Sequence, residues 1–461
     1  MRRESWKTVI EPFKIRSVEP LGFTDRPERE KALSRAGYNL FKVPAEKVLI
    51  DLLTDSGTCA MSMEQWAGMM RGDVSYASSR SYYVFERVVK DLTGYPHVIP
   101  VHQGRAGERL VFSFLGGPGK VFLSNMFFDT TRANIEATGA EALDLPADKA
   151  FFHGDRRAFK GDIDLAKLEQ ALRLRAGRVP LVLLTVTNNS LGGQPVSLRN
   201  IRDASRLCAR HKVPLLLDAA RFAENAYLIK ARERGQAERT VRSIVREMFG
   251  YAQGCLMSGK KDALVNMGGF LAFKDKAWAG KAREILILGE GFPTYGGLTG
   301  RDLEAMARGI EEVLDEQYLR YRIRSVEYLA RGLRRQGIPL IEPPGGHAVY
   351  VDAARFLPHI PAERFPGQAL ACALYLEAGI RAVEIGSLMF GKREGRRFLP
   401  ARMELLRLAL PRRVYTQAHA DFIIEVFGSL ARKKRAIRGL RLLKAPRFLP
   451  HFTARLAPLR S

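Results

Sequence analysis

The chain has 461 residues, of which 46% are hydrophobic and 27% are charged, a balance that excludes disordered and low-complexity architectures. Four widely spaced cysteines exclude a disulfide scaffold and predict a cytoplasmic protein, and no apolar run approaches the ~18 residues of a membrane span. The net charge is +25. We attribute it to an excess of basic residues on a solvated surface, because no nucleic-acid-binding signature accompanies it.

The first part of the chain predicts an extended arm followed by alternating helices and strands. Residues 1–50 are polar, with short helical pieces. The segment SRSYYVFERVVKDLTG has helical apolar spacing and ends at Gly94, a suitable residue for a helix end. The runs HVIPV and KVFLSN predict strands, and a helix is expected to begin near Ala106 between them.

The clearest pattern lies in residues 179–220, where two buried-strand runs flank a helical segment with Ser197 as its N-cap. This is a βαβ unit, and it predicts a parallel sheet. Two strand-like runs follow, and then a long helical stretch leads to strands around a Pro-Gly turn. We predict an α/β protein: a large doubly wound domain with a mainly parallel sheet over 51–310, and a smaller α+β domain over 311–461 completed by the arm 1–50.

Polar side chains follow three of the predicted strands. Asn189 and Asp218 come after the two strands of the βαβ unit, and Ser258, Lys260 and Lys261 follow the next run, GCLM. Ligands of open α/β sheets bind beyond the carboxyl ends of the strands, so we expect these groups to meet at one edge. The distance along the chain from Asp218 to Lys261 leaves room for one helix between them.

This set of groups suits pyridoxal 5′-phosphate (PLP). PLP needs a lysine to form an imine, an acid beside its ring nitrogen and donors for its phosphate. Asp218 supplies the acid, Lys261 or Lys260 the amine, and Ser258 part of the phosphate site. On spacing alone, a capping aspartate and a surface Lys-Lys pair explain the same residues.

Gln103, Gly104 and Arg105 stand where a helix is predicted to begin, so free N–H groups and the helix dipole favour an anion there. An ordinary glycine turn with a solvated arginine is the alternative. The chain has no GxxxxGK[ST] or GxGxxG motif, which disfavours nucleotide cofactors. It also has no HExxH and no GxSxG, which disfavours a catalytic zinc and a serine nucleophile elbow.

Nine local strings resemble the β-eliminating lyases, a family that cleaves tryptophan or tyrosine, and the resemblance covers the chain from about residue 10 to 457. The strings are IDLLTDSGT, HQGR, GGQPVSL, DAARFAENAYLIK, MSGKKDALVNMGGF, FPTYGGLTGRDLEAMA, GGHAVYVDA, LPRRVYT and HFTARL. The resemblance implies a PLP-dependent, transferase-like protein of fold type I. It also implies a homotetramer in which two subunits share each active site.

The resemblance also implies a set of cofactor contacts. Lys261 would bind PLP covalently, Lys260 would tune the charge beside it, and Asp218 would pair with the ring nitrogen. The other implied contacts are those of the phosphate (Gln103, Gly104, Arg105 and Ser258), of the phenolic oxygen (Arg221 and Asn189), of the ring face (Phe128) and of a neighbouring subunit (Tyr295).

The implied substrate contacts begin with Arg407, which would hold the carboxylate in a bidentate fork that lysine could not reproduce. Thr54 and Ser56 would line the same pocket. An aromatic carbon is a poor leaving group, so the ring must be protonated before its bond to Cβ breaks. Tyr76 matches the family's acid for this step.

Three differences within the family concern the aromatic ring. The tyrosine-cleaving branch has an arginine, a threonine and a phenylalanine where this chain has Ile385, Asp129 and His451, and Phe452 follows. An apolar Ile385 suits a ring without a hydroxyl, and Asp129 and His451 suit an indole N–H. Without the resemblance, Asp129 reads as a helix cap and His451 as a surface histidine.

One departure concerns a potassium ion that activates the family. Gly57 and Asn266, whose backbone oxygens would bind it, are present, but Val74 replaces the expected glutamate. We expect potassium to bind weakly or not at all, unless Asp73 substitutes.

The sequence therefore predicts a PLP-dependent lyase that converts tryptophan to indole, pyruvate and ammonia. The alternatives are a lyase acting on tyrosine or on S-substituted cysteine and, more distantly, a basic nucleic-acid-binding module on a degenerate enzyme fold. Intact candidates for the lysine, the aspartate and the phosphate site argue against the module, and no membrane partner is expected.

Overall fold

The computed structural model describes residues 8–151, 156–395, 397–446 and 448–459. The helices are α1 Arg26–Arg35, α2 Met63–Arg71, α3 Arg80–Thr93, α4 Gly104–Leu115, α5 Asp129–Ala137, α6 Leu165–Leu174, α7 Leu198–Arg210, α8 Phe222–Arg232, α9 Val241–Gly250, α10 Lys276–Gly289, α11 Gly300–Glu312, α12 Glu316–Arg335, α13 Ala353–Phe356, α14 Pro366–Ala378, α15 Ser387–Phe390, α16 Gln417–Arg432 and α17 Pro450–Thr453. The strands are β1 Ile50–Asp51, β2 His97–Val101, β3 Val121–Ser124, β4 Glu141–Asp144, β5 Val182–Thr185, β6 Leu215–Asp218, β7 Gly254–Ser258, β8 Gly269–Phe273, β9 Ala348–Asp352, β10 Ile380–Arg381, β11 Val383–Ile385, β12 Lys392–Glu394, β13 Arg397–Leu399, β14 Leu405–Ala409, β15 Leu440–Lys444 and β16 Arg455–Pro458.

The chain forms two compact units. The small unit consists of Met1–Thr54, Asp315–Leu410 and Tyr415–Ser461, and the large unit of Asp55–Leu314 and Pro411–Val414. The four-residue segment Pro411–Val414 therefore returns to the large unit from a part of the chain that otherwise builds the small one.

The large unit contains the central sheet, whose described strands have the order β2-β8-β7-β6-β5-β3-β4. Strands β4, β3, β5, β6 and β7 run parallel, whereas β8 is antiparallel to both of its neighbours. Strands such as VLLT and LLLD are fully buried, as expected for a sheet covered on both faces. The predicted α/β fold with a mainly parallel sheet is confirmed.

The local signals explain several helix ends. Gly94 follows α3 with φ 73°, a left-handed conformation that glycine adopts without strain. The Ser197 hydroxyl accepts a hydrogen bond from the Asn200 N–H at 3.1 Å and caps α7. One prediction was wrong: two helices, α8 and α9, lie between Asp218 and Lys261, because the chain turns at Gly235 and Thr240 caps a second helix.

The small unit is built around the antiparallel sheet β11-β14-β9. Helices α12, α14 and α16 contribute apolar side chains to one buried core, with Leu333, Leu374 and Phe427 among them. Strands β1 and β10 pair in parallel beside it, which ties the residues before the large unit to those after α14. None of the described helices is both long and apolar enough to cross a lipid bilayer.

Candidate active site

The predicted edge of the large unit's sheet is formed as expected. Asp218 is the last residue of β6, opposite Thr185 of β5 and Leu256 of β7. Ser258 ends β7, and Lys261 follows three residues later. The carboxyl ends of two neighbouring parallel strands, β6 and β7, therefore bring an acid, a hydroxyl and an amine to one edge of the sheet.

Burial shapes the acid–base properties of this edge. Burial, followed by the charge of Arg221, lowers the pKa of Lys261 to about 8. Burial raises the pKa of Asp218, although the charge of Lys261 opposes this effect. The Asp218 carboxylate accepts one long backbone bond, from the Ala220 N–H at 3.4 Å. A buried carboxylate with so little compensation favours a cationic N–H partner.

The residues predicted to hold a phosphate converge as well. The backbone of Gly104 lies against Ser258, since a Cβ added to Gly104 would be 2.7 Å from the Ser258 Cβ. The Ser258 hydroxyl is buried and has no hydrogen-bond partner among the described residues. Gln103 is the N-cap of α4 without capping it through its side chain, and its Oε1 accepts from Lys260 Nζ at 2.9 Å.

An anion would satisfy these groups. Burial and then the nearby charge of Arg105 lower the pKa of Lys260, so two cationic groups lie close together beside the start of α4. The unsatisfied N–H groups of that helix start favour a phosphate. PLP matches four features of this edge. They are the unpartnered Ser258 hydroxyl, the position of Gly104 where a side chain does not fit, the buried acid Asp218 and the buried amine Lys261.

Phe128, Asp129 and Asn189 lie on two other segments of the large unit. Phe128 is the N-cap of α5, and Asp129 is the first residue of that helix, buried, with its Oδ1 accepting from the Thr130 N–H at 2.7 Å. Asn189 is buried at the start of a short 3₁₀ helix, Asn189–Leu191, that follows β5.

The buried Glu108 was not predicted as part of the site. Its Oε1 accepts from the Thr131 hydroxyl at 2.7 Å, and its Oε2 accepts from Asn134 at 3.1 Å. Burial raises its pKa to about 7, and the charges of Asp218 and Asp129 act in the same direction. Glu108 is therefore a third carboxyl group in the region of Asp218 and Asp129.

Arg221 belongs to a buried network of charges that we call the arginine cluster: Asp55, Arg221, Glu224, Asp262 and Arg412. Arg221 donates to the Asp55 carboxylate with Nε at 2.9 Å and Nη2 at 2.7 Å, a bidentate pair. All five side chains are nearly inaccessible to solvent. The pair with Asp55 fixes the orientation of the Arg221 guanidinium.

Tyr76 and Tyr295 lie next to each other in the large unit, with ring centroids 5.2 Å apart. Tyr76 is 69% exposed, and the Ser78 N–H donates to the Thr294 hydroxyl at 2.9 Å, which joins the two loops. A hydrogen bond with Tyr295 raises the pKa of Tyr76. The two predicted tyrosines therefore form one pair within a chain.

In the small unit, Arg407 and Ile385 lie on adjacent strands. Arg407 of β14 stands opposite Val383 of β11, and Leu405 stands opposite Ile385. Because side chains alternate along a strand, Arg407 and Ile385 share one face of the sheet as diagonal neighbours. Arg407 is buried, and its Nη2 donates to the Leu53 carbonyl at 2.9 Å. Thr54 follows directly in the small unit, whereas Ser56 belongs to the large unit.

His451 and Phe452 lie on α17, and the structure corrects the surface interpretation of His451. The residue is buried, and its ring centroid lies 4.1 Å from that of Phe452 and 5.8 Å from that of Phe41. The Asn39 side-chain amide donates to the His451 carbonyl at 3.1 Å. Helix α17 contacts α15, which begins two residues after Ile385. The small unit thus brings the histidine to the region of the isoleucine.

The predicted potassium ligands Gly57 and Asn266 lie close together. The Asn266 amide donates to the carbonyl of Gly57 at 3.0 Å and to that of Cys59 at 3.3 Å. Val74 is 86% exposed. The Asp73 carboxylate accepts from the N–H groups of Arg80 and Ser81, at the start of α3. Burial opposes its ionisation, but the hydrogen bonds with Ser81 and Arg80 outweigh it and lower the pKa of Asp73.

Fold and site together define a PLP-dependent enzyme of fold type I. A serine palmitoyltransferase structure from S. paucimobilis with bound PLP shares this fold, with a TM-score of 0.55 at 15% identity over 84% of this chain and 88% of that one. The family model for beta-eliminating lyases matches residues 51–425. The chain belongs to this family of carbon–carbon lyases, and its substrate is an amino acid.

Two relatives show how the chain relates to the branches of the family. It is 58% identical over 451 residues to the tryptophanase of Salinibacter ruber, which covers 98% of this chain and 96% of the relative. It is 46% identical over 452 residues to the tyrosine phenol-lyase of Symbiobacterium sp. strain SC-1, which covers 97% and 98%. The predicted family, enzyme class and PLP cofactor are confirmed.

Four members of the arginine cluster had no role in the sequence prediction. Asp55, Glu224, Asp262 and Arg412 all lie within strings that carried the family resemblance. A usable signal was present, since each is a charged residue within a matching string. Their mutual contacts depend on distant parts of the chain, however, and no local spacing predicts them.

Proposed function

We propose that the enzyme releases indole, pyruvate and ammonia from tryptophan. The observation that carries this proposal is the buried, apolar Ile385 on the same sheet face as Arg407. An apolar side chain there suits an indole ring, whereas a phenol would leave its hydroxyl without a partner. The higher identity to a tryptophanase than to a tyrosine phenol-lyase supports the same choice.

Bound PLP supplies an electron sink for the charge that develops when the Cα proton leaves. Lys261 would hold the cofactor and, once free, take that proton, for which its lowered pKa of about 8 keeps a useful fraction unprotonated at neutral pH. Asp218 would hold the ring nitrogen protonated. Ser258, the start of α4 and Lys260 would hold the phosphate, and Arg407 would orient the substrate carboxylate.

Protonation of the leaving indole would fall to Tyr76, with Asp129 and His451 holding the indole nitrogen. Tyr76 and Tyr295 pair within one chain, where Tyr76 is exposed and Tyr295 is partly exposed. We therefore propose that both reach the active site of a neighbouring subunit together. Mixing inactive Tyr76→Phe and Lys261→Ala subunits tests this, because a shared site restores activity in hybrid oligomers, and no recovery contradicts it.

The surface around Tyr76 supports an oligomer. Helix α2 and the following loop expose four apolar side chains, Met63, Trp66, Met70 and Val74. Exposure of such an apolar surface to water is unfavourable in the monomer. We propose that a second copy of the chain covers it within a homotetramer. Met70→Glu is expected to lower the mass measured by analytical ultracentrifugation, and an unchanged tetramer would contradict this surface.

The unbridged, buried cysteines Cys59, Cys208, Cys255 and Cys372 support a reducing cytoplasm as the proposed location. Fractionation of the producing cells tests it, and recovery outside the cytoplasm would contradict it.

Potassium activation is expected to be weak. The Asp73 carboxylate accepts from N–H groups at the start of α3, and the Val74 side chain has no oxygen, so neither residue replaces the carboxylate ligand of the family. Activity titrated with KCl against tetramethylammonium chloride should change less than threefold. A strong, saturable requirement in the wild type would contradict this expectation.

Substrate profiling by pyruvate release tests the proposed function most directly. Tryptophan is expected to give a kcat/KM at least tenfold above those of tyrosine and S-methylcysteine. Ile385→Arg is expected to reduce cleavage of tryptophan at least 100-fold, because a buried guanidinium would fill the apolar side of the ring pocket. Ile385→Leu is the matched control. Cleavage of tyrosine as efficient as that of tryptophan would overturn the proposal.

A further inference from the structure

Arg412 lies at the centre of the arginine cluster. Its side chain is fully buried. Nη1 donates to the Asp55 carboxylate at 2.9 Å and to the Asp55 carbonyl at 3.2 Å. Nη2 donates to Glu224 at 2.8 Å and to Asp262 at 2.9 Å. One guanidinium therefore joins three carboxylates of the large unit.

These carboxylates hold three separate segments. Asp55 orients Arg221, which stands between β6 and α8. Asp262 follows Lys261 in the chain, and its second oxygen accepts from the N–H of Ala223 at 2.8 Å and of Glu224 at 3.3 Å. Glu224 is in the first turn of α8. Through these bonds Arg412 fixes the segment carrying Arg221 relative to the segment carrying Lys261.

We propose that Arg412 is a positioning residue for PLP binding, acting on Arg221 through Asp55 and on Lys261 through Asp262. It reaches none of the cofactor's predicted contacts directly in the bonds described. The proposal rests on Arg221 and Lys261 binding the cofactor, and it is independent of the preference for tryptophan.

An arginine is required for this task, since its planar fork reaches acceptors in three directions at once. A lysine in its place keeps one positive charge but offers three donors at a single point. Lysine can satisfy one of the carboxylates at hydrogen-bond distance, and the other two stay buried without the cation. The segments would then lose their common anchor, although the charge of the cluster is unchanged.

The test compares Arg412→Lys with Arg413→Lys. Arg413 is the next residue and donates to Glu312 at 3.0 Å, outside the arginine cluster, so it is a matched control in the same segment. Binding of PLP to the apoenzyme is measured by equilibrium dialysis, and the unfolding midpoint of each apoenzyme by circular dichroism. We expect Arg412→Lys to weaken PLP binding at least tenfold and Arg413→Lys less than twofold.

A double variant separates positioning from a general loss of stability. If Arg412 acts through Arg221, then Arg412→Lys adds less than a threefold loss of PLP affinity in an Arg221→Lys background. Losses that multiply fully would overturn the proposal, because independent structural defects add in free energy. A lower unfolding midpoint with unchanged PLP affinity would overturn it too.

If Arg412→Lys does not fold, Asp262→Asn serves instead, since it keeps the shape of the acceptor and removes its charge. PLP affinity should fall at least fivefold in that variant, and unchanged affinity would overturn the proposal. The dialysis involves no substrate. A failed prediction here therefore leaves the choice between tryptophan and tyrosine unaffected, and a failed substrate profile leaves this result unaffected.

Discussion

Two buried clusters, one in each unit of the protein, hold carboxyl groups in different ways. In the large unit, the three carboxylates of the arginine cluster share two guanidinium groups, Arg221 and Arg412. In the small unit, Glu384 and Glu404 approach each other around Gly386, where an added Cβ would lie 2.7 Å and 2.5 Å from their oxygens. Glu404 accepts from the N–H group and the hydroxyl of Ser387, and Glu384 accepts from the Leu388 N–H.

The difference shows in the pKa values. Burial, followed by the charge of Glu404, raises the pKa of Glu384 well above its ordinary value. Burial raises the pKa of Glu404 to about 7. Burial lowers the pKa of Arg221, but the charge of Asp55 and the hydrogen bond with it raise this pKa, and the net shift is upward. The arginine cluster neutralises its buried carboxylates with guanidinium groups, whereas the Glu384–Glu404 pair is neutralised by protons.

Replacing a carboxylate by an amide distinguishes neutralisation by a guanidinium group from neutralisation by a proton. The largest effect on the free energy of unfolding is expected at Asp55. Asp55→Asn removes the charge facing both Arg221 and Arg412. Breaking a buried ion pair in this way is expected to lower the free energy of unfolding by about 3–5 kcal/mol. Urea unfolding of the apoenzyme measures it.

Asp51→Asn is the matched control, since Asp51 also pairs with an arginine, Arg381, but is half-exposed. Its cost should be well below that at Asp55, because water still reaches the Asp51 carboxylate although Arg381 is buried. Equal costs at Asp51 and Asp55 would mean that burial of the arginine cluster adds nothing to its strength.

A smaller effect, dependent on pH, is expected at Glu404. Its pKa in the folded protein, about 7, lies above the ordinary value of 4.5, so the folded state binds the proton more tightly than the unfolded state. Stability is therefore fully present below pH ~4.5 and falls as the pH rises to ~7. At ~1.4 kcal/mol per pKa unit, the fall is about 3 kcal/mol.

Glu404→Gln should remove most of this dependence, because glutamine does not titrate and its amide oxygen can accept from the Ser387 hydroxyl. Thermal unfolding of the wild type and of the variant from pH 5 to pH 8 provides the comparison. Parallel curves would show that another group titrates.

The sequence could predict the strands and the sheet edge because their signals are local. Three consecutive leucines followed by Asp218 describe a buried strand and its polar end without reference to any other segment. The same holds for Gly94 and Ser197 at helix ends. The family resemblance then identified PLP, which spacing alone left open.

The two buried clusters could not be predicted in this way. Arg412 joins Asp55 and Glu224 from positions 357 and 188 residues away in the chain. Likewise, nothing in the local sequence distinguishes the buried Glu384 from an exposed glutamate on a strand. His451 was read as exposed without the resemblance, yet it is buried, because α17 packs its ring against Phe41 and Phe452.

The smallest effect is expected at Glu384, and it tests the comparison most sharply. Its Oε2 is buried without a hydrogen-bond partner among the described residues, and burial and the charge of Glu404 raise its pKa, which favours the neutral, protonated form. Glu384→Gln therefore replaces one neutral group by another of the same shape, and the free energy of unfolding at pH 7 should change by less than about 1 kcal/mol. The same exchange of acid for amide costs several times more at Asp55, where the carboxylate is charged. A loss of about 3 kcal/mol or more at Glu384 would mean that this carboxyl is ionised and paired, as the carboxylates of the arginine cluster are.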